Sequence, residues 1–79
     1  MTHRELYNRT RNALSQIETQ QTASLIARDL ICTFSGQTPE QMLSALEYGA
    51  DPAVVSKVED GVRRLLNDEP LAYILGAVS

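Results

Sequence analysis

Asp68-Glu69-Pro70-Leu71-Ala72-Tyr73-Ile74-Leu75-Gly76 is the stretch on which the reading of this chain turns. It opens at a charged turn, passes a proline, and stays apolar over residues 71–75, the longest unbroken apolar run in the sequence, before a glycine. Apolar side chains near a chain end fray into water unless something buries them. The stretch therefore reads as a docking segment, covered either by the residues before it or by a neighbour outside this sequence. Pro70 suits the first position of a short helix, where a missing amide costs nothing, and the helix is expected to run to about Leu75.

Upstream, Asp51-Pro52 and Thr38-Pro39-Glu40 are two copies of one start signal, a capping oxygen followed by proline. The first opens a helix carrying Val54, Val55, Val58, Val62, Leu65 and Leu66, whose valines are weak helix formers and whose Gly61 costs about 1 kcal/mol relative to alanine. Such a helix needs packing to hold it, and Gly61 is tolerable where another helix approaches closely. The second opens a helix with Met42, Leu43 and Leu46 that is expected to stop near Tyr48-Gly49. Before it, Ala23, Ile26, Ala27, Leu30, Ile31 and Phe34 recur at helical spacing and end at Ser35-Gly36, while the polar residues 18–22 read as a connection.

At the N-terminus Thr2-His3-Arg4-Glu5 fits a capping box, and Leu6, Tyr7, Thr10, Ala13, Leu14 and Ile17 form one stripe behind it. Arg4, Arg9 and Arg11 fall mostly off that stripe; they read as solvated, or else as a basic face for an acidic partner. No alternating strand pattern with hairpin dipeptides occurs. The expected fold class is all-α, a small bundle of four helices plus a short fifth C-terminal helix.

With 79 residues the chain is one domain, and a domain of that size buries only about 60% of the surface its unfolded chain exposes. A single cysteine excludes an internal disulfide and a single histidine leaves no zinc set. Helix packing must supply the core. The net charge is -3, with the N-terminal arginines followed by a segment whose acids outnumber Arg28, Lys57, Arg63 and Arg64. An acidic chain without arginine–aromatic interleaving is a poor nucleic-acid binder. No signal-peptide pattern and no apolar run near the roughly 18 residues of a membrane span occurs, so a cytoplasmic location is expected.

No chemistry is legible. There is no glycine-rich phosphate loop, metal-ligand cluster or nucleophile paired with a base, and Cys32 reads as a small apolar packing residue. Glu59-Asp60 and Asp68-Glu69 are adjacent pairs whose side chains diverge on a helix and cannot converge on a substrate. An acyl carrier protein of similar size and charge would need an Asp-Ser-Leu attachment site, and no Asp-Ser pair exists here.

Glu69-Pro70-Leu71-Ala72-Tyr73-Ile74-Leu75-Gly76, preceded by Arg64 at a helix end, resembles the signature closing the N-terminal domain of the release-factor glutamine methyltransferases, the HemK/PrmC family. Ala27-Arg28-Asp29-Leu30-Ile31 ending at Gly36 is similar to that domain's second helix, and the order and length of helices agree over essentially the whole chain. The chain departs from the pattern in three places. Asp68 stands where the family usually has glycine, Leu65 where a second basic residue is common, and Ala77-Val78-Ser79 where Glu-Phe tends to follow.

The resemblance implies that residues 1–76 form the helical substrate-recognition domain and 77–79 begin a linker to a methyltransferase domain. That absent domain would carry a glycine-rich loop and an Asn-Pro-Pro-Tyr motif. The parent enzyme would use S-adenosylmethionine to methylate the Gly-Gly-Gln glutamine of peptide-chain release factors, while these residues would bind no cofactor or metal and hold no catalytic group. The partners implied are a release factor and the chain's own methyltransferase domain, with no nucleic acid or membrane. Glu69-Pro70 would turn the chain, Leu71, Ile74 and Leu75 would pin the short helix, and Tyr73 and Gly76 would face or lead into the catalytic domain. Arg63 and Arg64 would be partner contacts, or merely favourable charges near a helix C-terminus. The alternative is a free-standing helical interaction module; a reading frame continuing past Ser79 into Asn-Pro-Pro-Tyr would decide for the methyltransferase.

Overall fold

The structure, a computed structural model, describes residues 1–76, so the expected linker at 77–79 lies outside the described residues. The chain forms α1 (His3–Leu14), α2 (Gln20–Ser35), α3 (Pro39–Ser44), α4 (Pro52–Leu66) and α5 (Leu71–Gly76), with no strand among the described residues. This is the all-α bundle of four helices plus a short fifth.

Local chemistry starts each helix where the side chains allow. In α1 the Thr2 hydroxyl accepts from the Glu5 amide at 3.2 Å and the Glu5 carboxylate accepts from the Thr2 amide at 3.0 Å, completing the capping box. Those bonds to Thr2 hold the Glu5 carboxyl below its ordinary pKa. A lowered carboxyl stabilises the fold fully above its unfolded value, about pH 4.3, and the contribution disappears as pH falls through the lowered native value. Thermal midpoints of wild type and Glu5→Gln should therefore differ at pH 6 and converge in strong acid.

α2 begins earlier than the apolar pattern indicates. Thr19 caps it by accepting from the Thr22 amide at 3.2 Å, so residues 20–22 are its first turn and not a connection. α1, conversely, stops at Leu14. The amides of Ile17 and Glu18 both return to the Leu14 carbonyl at 3.0 Å, the turn tightens, and Ile17 is turned out to 47% exposure in place of joining the buried stripe. α3 ends at Ser44, four residues short of the expected stop, leaving Met42 buried and Leu43 63% exposed.

The core joins Leu6 and Leu14 of α1, Ala23, Leu30 and Ile31 of α2, Met42 of α3, Val58, Val62 and Leu65 of α4, and Ile74 of α5. Thr10 is buried with them and its hydroxyl donates to the Leu6 carbonyl at 2.7 Å, so no polar group is stranded there. α1 packs along α2, both rest on α4, and α5 lies on α4. Gly61 allows that last approach: a Cβ there would stand 3.3 Å from Leu30 Cδ2 and 3.4 Å from Ile74 Cγ2.

The N-terminal residues are tied to the turn between α3 and α4 by a feature with no sequence pattern. Thr2 and Gly49 form an isolated antiparallel bridge. The amides of His3 and Arg4, orphan donors of the first turn of α1, donate to the carbonyls of Tyr48 and Leu46, each at 3.0 Å. The buried His3 ring lies with Nδ1 2.9 Å from the same Tyr48 carbonyl, and since a carbonyl only accepts, Nδ1 carries the proton.

α4 ends in a Schellman motif. The Glu69 amide donates to the Arg64 carbonyl at 3.1 Å and the Asp68 amide to the Leu65 carbonyl at 3.0 Å, which places Asp68 in the left-handed region at φ 67. This conformation is one that glycine adopts without strain. Asp68→Gly is expected to raise stability by about 0.5–1 kcal/mol, read as a thermal midpoint a few degrees higher, because relief of the left-handed cost exceeds glycine's added unfolded-state entropy.

Candidate docking site

The Schellman turn aims the chain back across the end of α4. Pro70 stands one position earlier than expected, ahead of α5, its carbonyl accepting from Tyr73 at 3.1 Å and Ile74 at 3.4 Å. Ile74 is 1% exposed, and Leu71 and Leu75 are half-buried against the core, so these three pin the short helix to the bundle. Gly76 is the last residue of α5 and has no left-handed backbone, so it does not cap that helix by a positive φ.

Arg64 and Glu69 are brought together by the turn. Arg64 Nε donates to Glu69 Oε2 at 2.8 Å and Nη2 to Oε1 at 3.4 Å, a forked pair that raises the guanidinium above its ordinary pKa and locks Glu69 to the helix it leaves. Beside this pair, Arg64, Ala72, Tyr73 and Gly76 line one shallow groove. Tyr73 is 73% exposed, the most open large apolar side chain described, and Leu66 at the end of α4 is also exposed.

Arg63 does not join them. One position on a helix is a rotation of about 100 degrees, and Arg63 instead pairs with Asp60 on the outer face of α4, near Ser56, Lys57 and Glu59. Of the six residues singled out at this end, Arg64, Glu69, Tyr73 and Gly76 converge, Pro70 opens the helix that carries two of them, and Arg63 faces elsewhere.

What this end offers is shape, one aromatic ring and a fixed ion pair. Among the described residues no group of three or more His, Cys, Asp or Glu is placed to hold a metal ion. Cys32 is half-buried, its thiol donating weakly to Met42 Sδ at 3.8 Å, and burial pushes its pKa up, away from the thiolate a nucleophile needs. No described helix is long and apolar enough to cross a membrane.

The closing helix of this small bundle is thus pinned from inside by Ile74 and presents an aromatic side chain, Tyr73, outward. The family model described as the PrmC N-terminal domain matches residues 5–76, and the chain belongs to that family. Searches of curated protein sequences and of solved structures each found no significant match.

Proposed function

We propose that these residues are the release-factor-recognition domain of a cytoplasmic, S-adenosylmethionine-dependent methyltransferase that modifies the Gly-Gly-Gln glutamine of peptide-chain release factors. The family match over residues 5–76 carries this reading. Recognition requires surface shape and charge rather than a compact motif, which agrees with a chain in which no catalytic motif is legible.

Residues 1–76 would be the recognition domain and 77–79 the start of the linker. The groove at Arg64, Tyr73 and Gly76 would face the methyltransferase domain, with Tyr73 losing its exposure there. Arg63, on a different face of α4, is then a helix-end charge or a contact with the protein substrate. Cofactor binding and catalysis belong to the other domain.

Calorimetric titration of the 79-residue chain with a peptide-chain release factor should show saturable binding, and titration with S-adenosylmethionine should show none. Heat of binding from S-adenosylmethionine, or no interaction with any release factor, would sink the assignment of roles. The free-standing interaction module remains the competing reading, and a downstream frame encoding Asn-Pro-Pro-Tyr separates the two.

A further inference from the structure

A second groove, of about 390 Å³, crosses the bundle on the side formed by α1, α2 and α3. Its α1 wall is the stripe Arg4, Tyr7, Asn8 and Arg11, at the i, i+3, i+4, i+7 spacing that puts side chains on one helix face. Arg28 enters from α2, and α3 with the turn after it supplies Met42, Leu43 and Leu46. The floor is therefore apolar and the rim basic.

Three of the chain's seven basic residues line this one groove, and no carboxylate does, although the chain as a whole is acidic. Arg4 is already paired, its Nε donating to Glu47 at 2.7 Å. Arg11 and Arg28 have no ion-pair partner among the described residues, and the buried Nε of each has no hydrogen-bond acceptor. Arg11 is not loose: its guanidinium lies 5.6 Å from the centre of the Tyr7 ring, a cation–π contact that holds it at the groove. A half-buried guanidinium has already lost part of its hydration, so an arriving carboxylate gains more there than at a fully exposed arginine. Leu43, 63% exposed, adds an open apolar side chain beside these charges.

We propose that this groove binds an acidic peptide segment of a partner protein, aliphatic side chains lying on Tyr7, Met42 and Leu46 and carboxylates meeting Arg11 and Arg28. Charge complementarity selects the occupant: two unpaired, half-buried arginines over an apolar floor suit alternating carboxylates and aliphatic groups, whereas a single short basic rim on an acidic chain is too little for a nucleic-acid backbone. The inference goes beyond the proposed function, because it names a surface and a chemistry whichever protein carries the segment.

The test is fluorescence anisotropy of a labelled peptide of alternating glutamate and leucine, titrated with the 79-residue chain, beside amide chemical-shift mapping. Saturable binding is expected, with shifts centred on Tyr7, Arg28 and Leu43, and it should weaken as salt rises above about 0.1 M. Arg11→Gln with Arg28→Gln should weaken it about tenfold, equivalent to about 1.4 kcal/mol. Leu43→Glu, a change at an exposed side chain that leaves the core intact, should do the same by placing a negative charge in the groove. Unchanged binding by both variants, shifts centred on α4 and α5, equal binding of a lysine–leucine peptide, or comparable binding of oligothymidylate would each overturn the proposal.

Discussion

Ile74→Ala is expected to destabilise the domain by about 2–4 kcal/mol, the range for deleting most of a fully buried aliphatic side chain. Ile74 is 1% exposed and carries the contact between α5 and the Gly61 face of α4. Total stability at this size is roughly 4–12 kcal/mol, so the loss is a large share. Urea unfolding followed by helical circular dichroism should show a lower midpoint with an unchanged slope. Tyr73→Ala, one residue away but 73% exposed, should move the midpoint little. If Ile74→Ala cost less than about 1 kcal/mol, α5 would not belong to the cooperative core. The pair also separates stability from the proposed docking: if Tyr73 meets a methyltransferase domain, that contact should feel Tyr73→Ala and the isolated bundle should not.

Gly61→Leu is the second large effect, with an expected loss of about 2–3 kcal/mol. The Cβ alone would meet Leu30 Cδ2 at 3.3 Å, Ile74 Cγ2 at 3.4 Å and Phe34 Cε2 at 3.6 Å, and further atoms on that bond have no space. Gly61→Ala is different: its helix propensity gains about 1 kcal/mol while the Leu30 and Ile74 side chains must yield a few tenths of an ångström, so the two effects offset. Trimming the neighbour should expose the coupling. Gly61→Ala combined with Ile74→Ala, which removes the crowding Cγ2, is expected to be more stable than the two single changes added together, by about 0.5 kcal/mol or more. A strictly additive cycle would mean that the two side chains do not compete for the same space.

Much of the fold was legible because it rests on contacts within one turn. Thr2 with Glu5, Thr38 with Pro39 and Asp51 with Pro52 announce helix starts, and each is a helix N-cap in the structure. The stripe through Leu6, Thr10 and Leu14 and that through Val58, Val62 and Leu65 are buried as their spacing indicates. The misplacements have equally local causes. Thr19 starts α2 from within a polar stretch that has no apolar period, and the tightened turn after Leu14 swings Ile17 into water.

The candidate sites were less legible. Glu69-Pro70 and the apolar residues after it marked the docking helix, yet nothing in Arg63-Arg64 says that one turns to Asp60 and the other to Glu69. The basic stripe of α1 was visible as a possible face for an acidic partner, but its other wall, Arg28 with Met42 and Leu46, comes from separate helices. His3 gave no signal for its hydrogen bond to the Tyr48 carbonyl.

The amino-acid sequence by itself determined that this chain is helical, where most helices start and which residues form most of the core stripes, since caps and periodicity act between neighbours three or four positions apart. The tertiary structure alone decided how the first residues are tied to the turn after α3, which side chains close over Gly61, and which arginines are left without a carboxylate. Those outcomes depend on groups far apart along the chain, such as His3 and Tyr48 or Gly61 and Leu30, whose meeting is set by the packing of whole helices.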